Sequence, residues 1–332
     1  MSDNFKNKTV LITGATGSFG KFFLKEIINK HFKEINKIIV FSRDELKQLD
    51  LRNEFNNKEN NKILFRIGDI RDYDRVKEVT KDVNLIVHAA ALKQVPASEF
   101  NPSEFIKTNI IGSENIIKAS IENLVQKVVA LSTDKACSPI NLYGATKLCS
   151  DKLFTTANNL NKNCTFSVVR YGNVLGSRGS VFPFFLKQKN KGYFTITDKR
   201  MTRFNITLSQ AIDMVLWTIK NMKGGEIFIP KIPSYKITDV IKAINPKNKI
   251  KIIGIRPGEK IHEEMISSSD SFYTVDLGKY YAILSTSGQF NSNQYAKKYN
   301  AKLVKEGFSY NSKENQKFLS IDEIKKMINQ EF

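Results

Sequence analysis

Short apolar runs alternate with amphipathic stretches through the first half of the chain. A short apolar run between turn signals is typical of a buried strand, and a longer stretch with apolar residues three and four apart predicts a helix. Strands that alternate with helices build a parallel sheet that is covered on both faces. The predicted strands are residues 8–13, 37–41, 63–67, 83–87, 127–131 and 165–170, and the predicted helices include 21–30, 102–123 and a stretch starting at Leu142.

This alternation ends near residue 172. Beyond it, residues 208–221 and 237–244 have helical patterns, residues 226–230 form a short apolar run, and residues 321–328 end the chain as a helix. The sequence therefore predicts an α/β protein in two units. Residues 1–172 form a doubly wound parallel sheet, and residues 173–332 form a smaller C-terminal α/β lobe with a polar tail.

A glycine-rich turn joins the first strand to the first helix. In this context backbone N–H groups and a helix N-terminus bind the pyrophosphate of a dinucleotide, so the turn predicts a Rossmann-type cofactor domain. The predicted cofactor contacts in the turn are Gly14, Thr16, Gly17, Ser18, Phe19 and Gly20.

The ends of the next two strands bear on which dinucleotide binds. Ser42 and Arg43 follow the second strand, where an arginine can pair with the 2′-phosphate of NADP. Asp44 leaves NAD open as the less favoured cofactor. Asp69, followed by Ile70, ends the third strand and is a candidate acceptor for the adenine amino group, with a helix N-cap as the alternative.

Small residues follow the fourth strand. Ala89, Ala90 and Ala91 allow a flat cofactor to approach the backbone closely, and Lys93 can reach either the cofactor or an anionic or hydroxylated substrate. His88, just before them, is predicted to be a packed residue at the strand end, because no acid or nucleophile is adjacent in sequence.

Tyr143 and Lys147 stand four apart and share one face of a predicted helix. An ammonium beside a phenol favours the phenolate, so Tyr143 is predicted to act as an acid/base with a lowered pKa. Tyr73 and Lys77 have the same spacing, which is expected about once by chance in a chain rich in these residues. The first pair lies just after residues 132–135, at a predicted strand end where ligands of open parallel sheets bind, whereas the second lies on a helix away from the predicted nicotinamide.

Composition bounds the environment of the protein. The chain has 332 residues, of which 41% are hydrophobic, so a large core can form. No apolar run approaches the ~18 residues of a membrane span. The first apolar segment is too short for a signal peptide, so we expect a cytoplasmic protein. Three cysteines without metal-ligand spacing indicate free thiols and no metal site.

A formal net charge of +19 raises the hypothesis of nucleic-acid binding. The lysines are dispersed, however, and no nucleic-acid motif accompanies them, which favours solvated side chains and no nucleic-acid partner. Arginines in loops of the second unit suit a nucleotide diphosphate instead, because the guanidinium pairs with phosphate in a bidentate way. These loop cations are Arg178, Arg200, Arg203, Arg256 and Lys260.

Four motifs carry a resemblance to a known family: the glycine turn, Thr133-Asp-Lys, Tyr143-x-x-x-Lys and Arg256-Pro-Gly-Glu-Lys. Over residues 8–268 the chain resembles the extended short-chain dehydrogenases/reductases. Many sugar-nucleotide dehydratases of that family carry glutamate where this chain has Lys135. The lysine is similar to that of the inverting UDP-N-acetylglucosamine 4,6-dehydratases, which open the pseudaminic acid route. The resemblance implies UDP-N-acetylglucosamine as substrate, bound NADP and a homo-oligomer, either dimer or hexamer.

The resemblance also implies roles for individual residues. Tyr143, assisted by Lys147, takes the proton of the sugar 4-hydroxyl while hydride leaves C4 for the cofactor. Lys135 is the base at C5, Asp134 the acid that assists loss of water, and Thr133 holds the 4-oxygen. A lysine base must be neutral part of the time, which requires burial or a nearby positive charge. The implied substrate contacts are Lys93, Asn173, Arg178, Ser180, Arg200, Arg203, Arg256 and Glu259.

Two other functions stay open from the sequence. One is a UDP-sugar 4-epimerase, or a capsule-type dehydratase/5-epimerase, of the same fold. The other is a non-catalytic protein that binds a dinucleotide or nucleic acid through its positive charge.

Overall fold

The computed structural model describes residues 4–55, 61–176, 180–286 and 291–331. The strands within these ranges are β1 (Thr9–Thr13), β2 (Lys37–Ser42), β3 (Ile63–Ile67), β4 (Leu85–His88), β5 (Lys127–Thr133), β6 (Thr165–Tyr171), β7 (Asn173–Val174), β8 (Tyr193–Ile196), β9 (Thr202–Ile206), β10 (Ile227–Pro230), β11 (Ser234–Lys236), β12 (Lys249–Ile252), β13 (Glu264–Ile266), β14 (Thr274–Asp276), β15 (Tyr280–Ile283), β16 (Lys302–Leu303) and β17 (Tyr310–Asn311). The six strands predicted in the first half correspond to β1 to β6.

The α-helices of the same ranges are α1 (Ser18–His31), α2 (Glu45–Glu54), α3 (Tyr73–Val79), α4 (Val95–Phe100), α5 (Pro102–Ile106), α6 (Gly112–Glu122), α7 (Leu142–Thr156), α8 (Val181–Leu186), α9 (Leu208–Asn221), α10 (Ile237–Ile244), α11 (Ser292–Lys298) and α12 (Ile321–Glu331). Three 3-10 turns, Asp134–Ala136, Ala157–Asn159 and Ser268–Tyr273, and a π turn at Lys107–Ile111 complete the described helical structure. No helix in the described ranges is long and apolar enough to cross a membrane.

Among the described residues, the main sheet has ten strands in the order β16-β14-β15-β10-β6-β5-β4-β1-β2-β3. The strands from β10 to β3 are parallel, whereas β14, β15 and β16 pair antiparallel at one edge. The strand order reverses beside β1, which pairs with both β2 and β4. At such a reversal the loops after adjacent strands diverge and leave a crevice at their carboxyl ends, where ligands bind. The predicted doubly wound α/β fold is therefore confirmed.

Two apolar cores hold the structure. Val10, Leu11 and Ile12 of β1 are fully buried, as a strand covered by helices on both faces requires. A separate cluster in the second half packs α8, α10 and α12 around Phe182, with Ile324 of the last helix fully buried in it. The predicted final helix thus belongs to the core of the smaller lobe.

Two predicted elements differ from the structure. The helix predicted over 102–123 is divided into α5, the π turn and α6, and Asn109 in that turn is buried. Its amide accepts from Leu92 N at 2.9 Å and donates to Thr146 Oγ1 at 3.0 Å. The strand predicted over 226–230 does not belong to the small lobe. As β10 it extends the main sheet beside β6.

Candidate active site

A cavity of about 750 Å³ lies at the carboxyl ends of the central strands, between the main sheet and the C-terminal lobe. It gathers residues that are far apart in sequence, from the glycine turn to the Arg256 loop. The predicted site residues that line it are Gly14, Gly17, Ser18, Phe19, Gly20, Ala89, Ala91, Lys93, Thr133, Lys135, Tyr143, Lys147, Asn173, Ser180, Arg203, Arg256 and Glu259.

The glycine turn is shaped for a bound diphosphate. Gly14 has φ +64°, and a Cβ there would lie 2.7 Å from the Ala90 backbone nitrogen. A Cβ at Gly20 would lie 2.5 Å from Ala15 Cα, so glycine also sets the close packing of α1 on the turn. Gly17 caps α1 without a side-chain hydrogen bond, which leaves the first N–H groups for a ligand. Thr16 is partly buried in this turn and does not line the cavity.

The end of β2 presents the cation of Arg43, and the Asp44 carboxylate next to it is already occupied. The Asp44 carboxylate caps α2 by accepting from Lys47 N at 2.9 Å, and it also pairs with the Lys47 ammonium. Arg43 is half exposed, and its only ion pair within the described structure is a long one, 3.5 Å to Asp69. Ser42 Oγ accepts from Gln48, which leaves its proton free to donate.

A second cavity of about 340 Å³ includes Arg43 and shares Lys93 with the main one. Asp69 lies outside both cavities, where Arg71 Nε donates to it at 2.8 Å. Burial would raise the pKa of Asp69, but the Arg71 hydrogen bonds outweigh it and leave the pKa lowered. Asp69 does not cap α3, because Asp72 does. Ile70 is buried, and its carbonyl accepts from Asn115.

The predicted catalytic loop runs from the end of β5 to the start of α7. Asn141 caps α7 by accepting from Gly144 N at 2.8 Å, and its amide donates to Gly258 O at 2.8 Å. Lys260 Nζ donates to Cys137 O at 2.7 Å. The start of the tyrosine helix is therefore tied directly to the loop that carries Arg256.

Tyr143 faces the cavity with a pKa opposite to the predicted one. Burial raises the pKa of Tyr143 to about 12, against the hydrogen bond to Thr133 and the charge of Lys135. Among the described residues Lys147 Nζ donates to Leu131 O at 2.7 Å, and no hydrogen bond joins it to the phenol. Burial also lowers the pKa of Lys147. The expected lowering of the tyrosine pKa by Lys147 is thus absent from this state.

Lys135 is surrounded by oxygen atoms. Its Nζ lies 2.8 Å from Asp134 Oδ1, 3.0 Å from Asn173 Oδ1 and 3.2 Å from Glu263 Oε1. Burial alone would lower the pKa of Lys135, but the two carboxylates outweigh it and the pKa lies above its ordinary value. The depressed pKa that a lysine base requires is therefore not present. In this state Lys135 is an ammonium whose three hydrogens all have acceptors.

Asp134 is fully buried beneath this ammonium and does not line the cavity. Its Oδ1 accepts from Thr133 Oγ1 at 3.0 Å, and its Oδ2 has no hydrogen-bond partner within the described ranges. Burial raises the pKa of the carboxyl, against the nearby charge of Lys135. A proton exchanged between Asp134 and a ligand must therefore pass through Thr133 or Lys135.

The predicted substrate cations fall into three groups. Arg203 is buried, with its two terminal nitrogens donating to the carbonyls of Thr202, Ile261 and Lys260. Arg200 lies at the surface in a bidentate pair with Asp198 and does not line the cavity, contrary to expectation, because that carboxylate is two residues away. Lys93 and Arg256 line the cavity, and neither side chain has a hydrogen-bond or ion-pair partner among the described residues. Arg178 lies outside the described ranges.

Other predicted contacts are also available to a ligand. Ser180 Oγ is buried without a partner in the described part of the chain, and Ser180 lines the cavity. Glu259 lines the cavity and lies 3.8 Å from Arg203. A carboxylate there suits a hydroxyl donor better than a phosphate.

Three residues of the site escape sequence reasoning. Glu263 contacts Lys135, and the buried pair Asp151–Arg170 holds Ser132 through a 2.8 Å bond from Ser132 Oγ. Glu263 is one of two adjacent glutamates just after Lys260, but spacing alone cannot say which of them points inward. Asp151 lies four residues after Lys147, on the same helix face, which is a usable signal.

Two predictions about packing are confirmed. Lys77 and Tyr73 lie on the surface of α3, where both contact Glu122. His88 is buried at the end of β4 and lies 2.8 Å from Thr13 Oγ1. Burial and the charge of Lys147 lower the pKa of His88 to about 3, so the ring is neutral.

Sequence relatives place these features in a family. A family model described as "Polysaccharide biosynthesis protein" matches residues 10–285. The chain belongs to that family. A UDP-N-acetylglucosamine 4,6-dehydratase (inverting) from Campylobacter jejuni is 51% identical, and the match covers 98% of each chain. A UDP-glucose 4-epimerase from Rickettsia bellii is 43% identical, over 98% of this chain and 96% of that protein. The resemblance to the inverting dehydratases is confirmed for this member of the polysaccharide biosynthesis protein family.

Solved structures agree on the fold of this polysaccharide biosynthesis protein. Pen from Bacillus thuringiensis is similar with a TM-score of 0.88 and 39% identity, over 98% of both chains. The dTDP-glucose 4,6-dehydratase DesIV from Streptomyces venezuelae, solved with NAD and TYD bound, has a TM-score of 0.67 and 18% identity, over 76% of this chain and 86% of that one. The second likeness concerns the fold alone.

Proposed function

We propose that this protein is an inverting UDP-N-acetylglucosamine 4,6-dehydratase, a hydro-lyase that removes water across C5 and C6 of the sugar and inverts C5. The observation that carries the proposal is Lys135, which lines the cavity with Tyr143 and lies 2.8 Å from the buried Asp134 carboxylate. The Campylobacter jejuni relative of the same name supports it over the full length of the chain. Its product would serve surface or flagellar glycan synthesis.

A nicotinamide dinucleotide fits the glycine turn, because Gly14 and Gly20 leave room that a Cβ would fill and α1 begins without a side-chain cap. A nicotinamide held there would supply hydride chemistry, as the acceptor of hydride from sugar C4 and its donor to C6. We propose NADP over NAD. At the end of β2, Asp44 is occupied as a helix cap while Arg43 is half exposed. The ribose of NAD would find the Asp44 carboxylate already occupied, and the 2′-phosphate of NADP would find a cation.

Tyr143 acts in the first half of the reaction. It takes the proton of the 4-hydroxyl, so it must be ionised first, and the positive nicotinamide ring supplies charge that counters the effect of burial. Thr133, hydrogen-bonded to Tyr143, holds the resulting 4-oxygen. Lys147 lines the same cavity as Tyr143, with its Nζ fixed on Leu131 O.

Lys135 and Asp134 act together in the elimination. Transfer of one proton from Lys135 Nζ to Asp134 Oδ1 gives a neutral amine and a neutral acid, and the net charge of the pair is unchanged. The burial that raises the pKa of Asp134 favours this exchange. The amine then accepts the C5 proton, while Asp134 returns its proton through the Thr133 hydroxyl to the leaving oxygen at C6. The two residues end as ammonium and carboxylate, as they began.

The substrate anion has two unpaired cations to bind. Lys93 and Arg256 line the cavity from opposite halves of the sequence, and among the described residues neither has another partner. A diphosphate held between them would leave the sugar near Asn173 and Lys135. A hydroxyl that bonds Asn173 Oδ1 would release one of the three acceptors around Lys135.

The test is incubation of the purified protein with UDP-N-acetylglucosamine in deuterated water, followed by mass spectrometry and NMR. A dehydratase loses one water per sugar, takes up solvent deuterium at C5 and needs no external reductant. Tyr143→Phe and Lys135→Met should both abolish water loss. A wild-type product of unchanged mass without deuterium at C5 would refute the proposed dehydratase activity.

The same experiment examines a second candidate, a UDP-sugar 4-epimerase, which the 43% identical Rickettsia bellii relative favours. An epimerase returns an isomer of unchanged mass and does not need Lys135 as a base. Retained activity in Lys135→Met with an isomeric product would favour this candidate.

A further inference from the structure

A second buried carboxylate, besides Asp134, contacts Lys135. Glu263 is 3% exposed, and its Oε1 lies 3.2 Å from Lys135 Nζ and 3.6 Å from Arg203 Nε. Its Oε2 has no hydrogen-bond partner within the described ranges. Burying a carboxylate without full hydrogen bonding is costly, so this position calls for an explanation.

The backbone around Glu263 is held from two sides. Arg203 donates to Ile261 O and to Lys260 O, both at 2.9 Å. Glu263 N donates to Ser312 Oγ at 2.9 Å, and Ser312 N donates back to Glu263 O at 2.7 Å. The side chain therefore reaches Lys135 from a fixed support, which is how a reacting group is oriented.

We propose that Glu263, supported by Arg203, is a positioning residue for Lys135, holding its amino group at the cavity wall and stabilising the charge it gains on accepting the C5 proton. This inference rests on the proposed dehydratase function.

The charges of the cluster show why the anion matters. Asp134, Glu263, Lys135 and Arg203 balance as two negative and two positive groups. When Asp134 holds the proton exchanged from Lys135, Glu263 is the remaining anion beside the amine. Burial alone would raise the pKa of Glu263, but the charges of Lys135 and Arg203 hold it below its ordinary value, so the carboxylate is ionised. An anion at this distance stabilises the ammonium both before the exchange with Asp134 and after the C5 proton arrives, so its benefit to elimination comes from holding the amino group in place.

Loss of Glu263 should consequently slow the elimination and leave the oxidation at C4 unaffected. Oxidation at C4 uses Tyr143 and the nicotinamide, whereas the C5 proton moves to Lys135. A charge-assisted contact is worth a factor of about 10 to 100, so Glu263→Gln should slow elimination by about that factor. The C4 step should proceed at nearly the wild-type rate. A general disturbance of the fold would slow both halves together.

The experiment is a single turnover of the NADP-loaded enzyme with UDP-N-acetylglucosamine, followed by the near-ultraviolet absorbance of the reduced nicotinamide. In E263Q the absorbance should rise as in wild type and decay 10- to 100-fold more slowly, by the estimate above. The pH profile of the decay should move to lower pH, because loss of the anion makes Lys135 less basic. Equal slowing of rise and decay, or an unchanged decay, would overturn the proposal.

Two controls keep the result interpretable. Glu264→Gln changes the adjacent carboxylate, which accepts from Ser138 Oγ instead, and should leave both phases unchanged. If E263Q does not fold, E263D keeps the charge on a shorter side chain. It should slow the decay of the absorbance but not its rise, by a smaller factor than expected for E263Q. Wild-type enzyme that forms no C5-deuterated product would instead refute the dehydratase function itself, and the role of Glu263 with it.

Discussion

Arg43 is the residue on which cofactor selectivity should depend. Its side chain is 50% exposed at the end of β2, and its pair with Asp69 is long, at 3.5 Å. Neighbouring acids do not compete for a ligand there, since Asp44 caps α2 and Asp69 is held by Arg71. The perturbation is Arg43→Ala, which removes the cation and leaves the strand and the helix cap in place.

The expected size follows from two terms. Turning Arg43 away from Asp69 costs little, because an exposed ion pair contributes roughly 0–1 kcal/mol. A hydrogen bond between charged groups at the 2′-phosphate contributes about 1.5–3 kcal/mol. The net gain of about 1–2 kcal/mol predicts that R43A binds NADP about 5- to 30-fold more weakly. NAD lacks the phosphate, so its affinity should stay nearly unchanged.

Isothermal titration calorimetry with both dinucleotides measures these affinities without turnover. Arg52→Ala is the matched control, because Arg52 lies in the last turn of α2, at the opposite end of the helix from Asp44. It should bind NADP like the wild type. The reasoning is refuted if R43A keeps wild-type NADP affinity, or if NAD and NADP affinities fall by the same factor.

Three further predictions concern stability and substrate binding. Asp151→Asn should lower the free energy of unfolding by about 3–5 kcal/mol in urea titrations, because it leaves the buried Arg170 guanidinium, 3.0 Å away, without its counter-charge. Adding Arg170→Met should recover part of the loss, and strictly additive effects of the two substitutions would contradict the pairing. Between pH 6.5 and its folded pKa of about 3, His88 takes up a proton only when the protein unfolds, so the free energy of unfolding should fall by up to ~4 kcal/mol as the pH drops through that window. His88→Asn should flatten this pH dependence, and an unchanged slope would contradict the role given to His88. Lys93→Met and Arg256→Met should each weaken UDP binding about tenfold, because each removes one cation that lines the cavity. Since desolvation lowers the pKa of Lys93, wild-type affinity should decline at alkaline pH sooner than an ordinary lysine would allow, and calorimetry across pH checks these statements.

Local patterns predicted the parts of the fold that depend on local physics. The strands from β1 to β6 are short apolar runs because both faces of a parallel sheet are buried. The glycine turn lies where it was predicted because Gly14 needs a positive φ and Gly20 a close helix contact, and both demands can be seen in the sequence. The surface pair Tyr73 and Lys77 was separated from Tyr143 by its place on a helix away from the predicted nicotinamide.

The effect of charged residues that are distant in sequence on the pKa values of the site could not be predicted from local patterns. The pKa of Lys135 depends on Glu263, which is 128 residues further along the chain and reaches it only when β13 packs beside the catalytic loop. Arg203 was expected to bind phosphate, but its donors are taken by backbone carbonyls that no sequence spacing reveals. Whether Thr133, Tyr143 and Lys147 carry out the assigned chemistry, and whether the protein forms dimers or hexamers, stay predictions.

β10 has a consequence for any attempt to graft specificity between relatives. Ile227 and Phe228, from the half that supplies Arg256 and Glu263, lie in register with Val168 and Val169 of β6. A chimera joined after residue 172 would therefore need a donor sequence whose own β10 pairs with β6. Without that strand the apolar edge of β6 would be exposed and could self-associate. Exchange of single loops, such as the one around Arg256, leaves the pairing of β10 with β6 intact, so it is the safer route to altered sugar-nucleotide preference.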